Sequence, residues 1–131
     1  MGKLSGPLMD RIDMRVEVEP VGRVDLAATQ LGESSAAIRT RVLRAREIAA
    51  DRFSDFTWRL NADIPARELR TRFAPHRKAI AFLHDELEAQ HISARGLHKI
   101  IRLAWTLADL GGANLPGIDE VEQAYLLRAE S

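Results

Sequence analysis

A chain of 131 residues, 46% hydrophobic and 29% charged, suffices for one domain with a buried core and matches soluble globular proteins rather than disordered ones. The absence of cysteine excludes disulfides, thiolate catalysis and thiolate metal sites, and agrees with a reducing compartment. The longest apolar run is five residues, 79–83, and the opening MGKLSG lacks a secretory apolar stretch, so the chain is expected to be cytoplasmic, with no membrane partner. Zero net charge hides an uneven distribution: residues 1–35 sum to −2, residues 36–78 to +6 and residues 79–131 to −4. A basic block of this kind either contacts phosphates or is a solvated helix surface.

In chain order, LSGPLMDRID sets Arg11 between Asp10 and Asp13 just after a Gly-Pro turn. The arginine is either neutralised by those acids or held so that it reaches beyond the chain. DMRVEVEP then alternates Met14, Val16 and Val18 with polar residues and stops at Pro20, the pattern of a half-buried strand. A lone strand needs a partner, which implies that residues 1 to about 30 are the tail of a larger domain.

From residue 34 the pattern is helical. ESSAAIRTRVLRAREIAADRF puts Ile38, Val42, Ala45, Ala49 and Phe53 on one face, with Ser34 or Ser35 as N-cap. Asp63 and Pro65 mark a helix over PARELRTRF, and Pro75 restarts another in which Ile80, Leu83 and Leu87 form a stripe. Ser93 caps a long helix carrying Leu97, Ile100, Ile101, Ala104, Leu107 and Ala108 on one face and closing at Gly111-Gly112. A last helix, from about Ile118 to Arg128, is expected to bury Val121, Ala124, Tyr125 and Leu127. Trp58 and Trp105 read as core or interface residues.

Several chemistries find no support. The sequence holds no G-x-x-x-x-G-K-[ST] and no strand ending in paired acids for magnesium, so this chain alone is not expected to hydrolyse ATP. His76, His84, His91 and His98 do not form H-x-x-x-H, so no metal site is expected, and there is no G-x-S-x-G. Arg95 stands out. It falls in the first turn of the helix begun by Ser93, where the macrodipole disfavours a cation unless an anion is also present. Helix N-termini bind phosphate through free N–H groups.

LSGPLMDRID, ESSAAIRTRVLRAREI, RLNADIPARELR, ISARGLHKIIRLAWTLADL and VEQAYLLR, in that order over nearly the whole chain, resemble the C-terminal portion of the magnesium chelatase-like AAA+ proteins of the ComM/YifB group. The resemblance implies a mainly α fold: an AAA+ helical lid over residues 33–131, preceded by residues 1–32 as the tail of the AAA+ core with its lone strand. It implies a ring-forming ATPase whose ComM members drive DNA branch migration, using ATP with magnesium in the full-length parent and no cofactor in this chain alone. Arg11 in DRID matches the arginine finger, acting in trans, and Arg95 in S-x-R matches the sensor-2 arginine. The implied partners are the chain's own upstream core, neighbouring subunits of a homo-oligomeric ring, and DNA, for which Arg39 and Arg46 in the basic block are the candidate contacts. Two alternatives stay open: a fragment of a magnesium chelatase ATPase subunit, and a free-standing helical module that binds nucleic acid or a partner.

Overall fold

The computed structural model describes residues 34–129. The expected strand and Arg11 lie outside the described residues. Within them the chain forms α1 (Ser35–Arg52), a 3-10 turn (Asn61–Asp63), α2 (Ala66–Leu69), α3 (Arg77–Glu88), α4 (Ala94–Gly111) and α5 (Ile118–Ala129), and no strand.

Local chemistry sets most of these boundaries. Ser34, in extended conformation, caps α1 by accepting from the Ala37 N–H at 3.1 Å. His76, the residue after Pro75, caps α3: its Nδ1 accepts from the Lys78 N–H at 3.2 Å. Ser93 caps α4 through the Gly96 N–H at 3.0 Å, and Gly112 ends it with φ +79°, a left-handed conformation that glycine adopts without a Cβ clash. Before α5, the Gly117 N–H donates to Glu120 Oε1 at 2.7 Å, the backward-reaching half of a capping box.

α4 is the central element, and every other element packs on it. Its apolar face buries Leu97, Ile100, Ile101, Ala104, Trp105 and Ala108, against Phe53 from the end of α1, Ile64, Leu69, Leu83 and Val121. Full burial of each large aliphatic side chain stabilises by about 1.5–3 kcal/mol. Phe53, Phe56, Trp58, Phe73 and Trp105 form a chain of edge-to-face and tilted contacts with centroids 4.6–6.5 Å apart, closing the junction between α1 and α4. The indole N–H of Trp105 is satisfied by the Phe73 carbonyl at 2.8 Å. Both tryptophans thus belong to the core cluster or its edge, as expected.

Three sequence expectations need correction. The helix over PARELRTRF is a single turn, Ala66–Leu69. The chain leaves the helix because the Phe73 N–H folds back onto the Glu68 carbonyl at 2.8 Å, its ring enters the aromatic cluster and its carbonyl is taken by Trp105. Pro75 then disfavours helical backbone just before it. On α1, Ala45, Ala49 and Phe53 are buried, whereas Ile38 and Val42 of the same stripe are 44% and 40% exposed. The C-terminal end of α4 faces α1: Arg52 bonds Asp109, and Ala45 lines one depression together with Leu110. From α1 and its cap the core cluster takes Ala49 and Phe53, both at the C-terminal end. On α5, Val121 and Ala124 are buried, while Tyr125 and Leu127 are only partly so.

Candidate phosphate-facing site at the start of the central helix

The turn that delivers α4 is fixed from three sides. After α3, the Gln90 N–H bonds the Leu87 carbonyl at 3.0 Å and the His91 N–H bonds the Glu86 carbonyl at 2.9 Å, with Gln90 in left-handed backbone at φ +61°. The Glu86 carboxylate takes hydrogen bonds from His91 Nδ1–H at 2.6 Å and from the Tyr125 hydroxyl at 3.0 Å. These bonds, His91 first and Tyr125 second, hold the Glu86 carboxyl below the usual carboxylate range. Burial, then the facing Glu86 carboxylate, raises the Tyr125 hydroxyl. The Tyr125 ring meets Phe82 edge-on at 5.5 Å, joining α5 to α3 beneath the turn.

Arg95 stands exposed in the first turn of α4, which holds no acidic residue. Among the described residues nothing hydrogen-bonds or ion-pairs with it. Ser93 occupies the Gly96 N–H, and the guanidinium belongs to the first turn, at the positive end of the helix dipole. A Cβ on Gly96 would stand 3.3 Å from Ser93 Oγ and 3.6 Å from Nε of Arg128, so the α5 arginine, which has contacts of its own, lies close against the same helix start. Lys99 and Arg102 continue the Arg95 stripe at helical spacing, with Arg102 Nε donating to the Ile64 carbonyl at 2.9 Å. His98, beside them, has its imidazole pKa lowered by burial first and then by Arg102 and Arg70. The arrangement suits a multiply charged anion. It offers no carboxylate set for a metal ion, and among the described residues no three His, Asp or Glu side chains converge.

Arg39 and Arg46 are both exposed on α1, one heptad apart and on one face. Arg46 lines a depression with Val42, Leu60 and Leu110 near the far end of α4. At 1.5 Å per residue this is about 20 Å from Arg95, so the structure does not bring the two sets together.

A polar network at the α1–α4 junction was not anticipated from the sequence. Arg52 lies over the Trp105 ring, 4.3 Å from its centroid, and pairs with both oxygens of buried Asp109. Asn61 Nδ2 donates to Asp109 Oδ2 at 2.9 Å and to Thr106 Oγ1 at 3.2 Å, and its Oδ1 accepts from Arg52 at 3.1 Å. The legible signal was Asp109 itself: it adjoins the apolar arc of α4, where a carboxylate needs a cation. No helix among the described residues is long and apolar enough to cross a membrane.

Comparison with known proteins follows the same lines. Residues 32–128 match the family described as "Magnesium chelatase, subunit ChlI C-terminal". The chain is 42% identical over 128 residues to an uncharacterized protein of Mycobacterium tuberculosis, covering 98% of this chain and 25% of that protein. It is 34% identical over 113 residues to the competence protein ComM of Haemophilus influenzae, covering 86% and 21%, and 30% identical over 131 residues to the uncharacterized protein YifB of Salmonella typhimurium, covering 98% and 25%. The chain spans about a quarter of the length of the curated relatives it matches. Four helices gathered on a central fifth, with the match running from just before α1 almost to the end of α5, establish that this chain belongs to the magnesium chelatase subunit ChlI C-terminal family and is similar to ComM and YifB.

Proposed function

We propose that residues 33–131 form the lid of a ring-forming AAA+ ATPase of the ComM type, with residues 1–32 belonging to its core. In this reading Arg95 is the sensor-2 arginine that faces the nucleotide phosphates, and Arg11 is the arginine finger reaching a neighbouring subunit. The observation that carries it is Arg95: an exposed guanidinium without a partner among the described residues, in an acid-free helix start, on a turn held by Ser93, Glu86 and Tyr125. That placement is unfavourable for a lone cation and favourable beside phosphate oxygens.

The residues fit the phosphate end of ATP, not its magnesium, which the parent's core would hold. A bound nucleotide supplies the phosphoryl group to be transferred. This chain's part is to place a planar, permanently charged donor against it from a rigid helix end. In the same reading DNA is the parent's partner, supported by the +6 block over residues 36–78, with Arg39 and Arg46 as its contacts on α1.

The test uses the intact parent. Arg11→Ala and Arg95→Ala should each lower ATPase turnover, the finger by about 10³ to 10⁵, with the fold unchanged by circular dichroism. Mixing the Arg11 variant with a Walker-lysine variant should recover activity if the finger acts in trans. This chain alone should show no saturable ATP turnover. Turnover by the isolated chain, or a fully active Arg95→Ala parent, overturns the reading.

A further inference from the structure

Charge and exposed apolar surface are distributed across this bundle in a complementary way. α1 and α5 lie on different sides of α4: Gly96 adjoins α5, Asp109 bonds α1, and at 100° per residue they point about 140° apart around the helix. The α1 side is basic, in the +6 block, and the α5 side lies in the −4 block. On the basic side the exposed Val42, Leu60 and Leu110 surround an open depression that Arg46 also lines. Arg41 and Arg44 line the adjoining depression against Gly111-Gly112, sharing Leu110 with the first. On the acidic side Asp119, Glu122 and Leu126 are exposed and share one face of α5 at helical spacing, with Leu126 61% exposed. One surface is thus an apolar recess edged by arginines, the other an apolar knob preceded by two acids.

We propose that these surfaces join successive copies of the chain head to tail, the outer face of α5 in one copy seating Leu126 in the Val42–Leu60–Leu110 recess of the next. Asp119 and Glu122 then face Arg41 and Arg44. The two surfaces differ, so the contact is heterologous and repeats around a closed ring instead of stopping at a symmetric pair. A single helix laid in a short recess buries less than the roughly 800 Å² per partner of a standard interface, so it is weak in isolation and gains strength by repetition. The inference adds a lid-to-lid contact to the ring proposed above and rests on that ring, but it is tested on this chain alone. Its failure leaves the roles of Arg11 and Arg95 untouched.

The chain has no cysteine, so single introduced thiols report their neighbours without ambiguity. Val42→Cys and Leu126→Cys are surface changes, prepared separately, then oxidised alone and as a mixture. A disulfide dimer formed in the mixture and not by either variant alone is the expected result. Adding Glu122→Lys to the Leu126→Cys chain should remove it, and Arg44→Glu in the Val42→Cys chain should restore it. Dimers from Val42→Cys alone, which mark a symmetric contact, overturn the proposal. So do equal yields in all three samples, which mark random collision, and the absence of any dimer in the mixture.

Discussion

Asp109 and Arg52 are unequal partners. The aspartate side chain is 1% exposed and the arginine 16%, so the two ends of the pair respond differently to loss of the other. Arg52→Met keeps a chain over Trp105 but leaves a buried carboxylate with only Asn61 as donor, which should cost about 3–5 kcal/mol. Asp109→Asn leaves an arginine that can turn toward water, and should cost about 1–3 kcal/mol. Urea unfolding of both variants checks the order. His98 gives a prediction of opposite kind. Its folded pKa lies below the ordinary 6.5 because burial and then Arg102 and Arg70 disfavour the charged ring. The unfolded chain therefore binds the proton more readily, so stability should rise with pH across the interval from the folded value up to about 6.5 and level off above it. His98→Gln should flatten that rise in thermal melts taken from pH 5 to 8. A rise unchanged in the variant would assign it to another group.

The end of α4 separates two adjacent glycines. Gly111 is the last helical residue, without a positive φ and with open space where a Cβ would go, whereas Gly112 holds φ +79°. Gly111→Ala should therefore stabilise, by up to about 1 kcal/mol through helix propensity, and Gly112→Ala should destabilise by about 1 kcal/mol through left-handed strain. Differential scanning of the two variants should move the midpoint in opposite directions. Boundaries such as this one were readable in the sequence because they are local: Ser34, Ser93 and Gly112 do by themselves what caps do. The apolar stripe of α4 was readable for the same reason. What was not readable depends on where another element stops or turns. The exposure of Ile38 and Val42 reflects a core that takes only Ala49 and Phe53 from this end of the chain, and the shortening of α2 follows from Phe73 being drawn into an aromatic cluster assembled from three separate stretches. The Arg52–Asp109–Asn61 network joins residues 48 and 57 positions apart, beyond any local pattern. Arg95 was noted as a cation out of place, but that Glu86 and Tyr125 secure its turn is a tertiary fact.

Across the whole molecule, α1 carries Arg39 and Arg46 on one flank and Arg41 and Arg44 on the other, and the two flanks lead to different predictions. If the first flank meets DNA in the parent, Arg39→Ala with Arg46→Ala should flatten the log-log salt dependence of duplex binding by about 0.9 per lost phosphate contact. Arg41→Ala with Arg44→Ala should leave that slope alone. An unchanged slope for the first pair, measured by titration at several salt concentrations, removes DNA from α1. The Arg52–Asp109 pairing also bears on how the chain is made. α1 is synthesised before the other helices of this bundle, yet its charged anchor is 57 residues downstream, at the end of the helix on which everything packs. During translation the early segment therefore waits for its counter-charge until most of the domain has left the ribosome, while α4 and α5 are still to meet by a short connection. Closure of the aromatic and ionic junction around Trp105 should therefore await Asp109, so a ribosome stalled just before Asp109 emerges should hold a nascent chain whose α1 remains open to protease, and one stalled well after it a chain that resists.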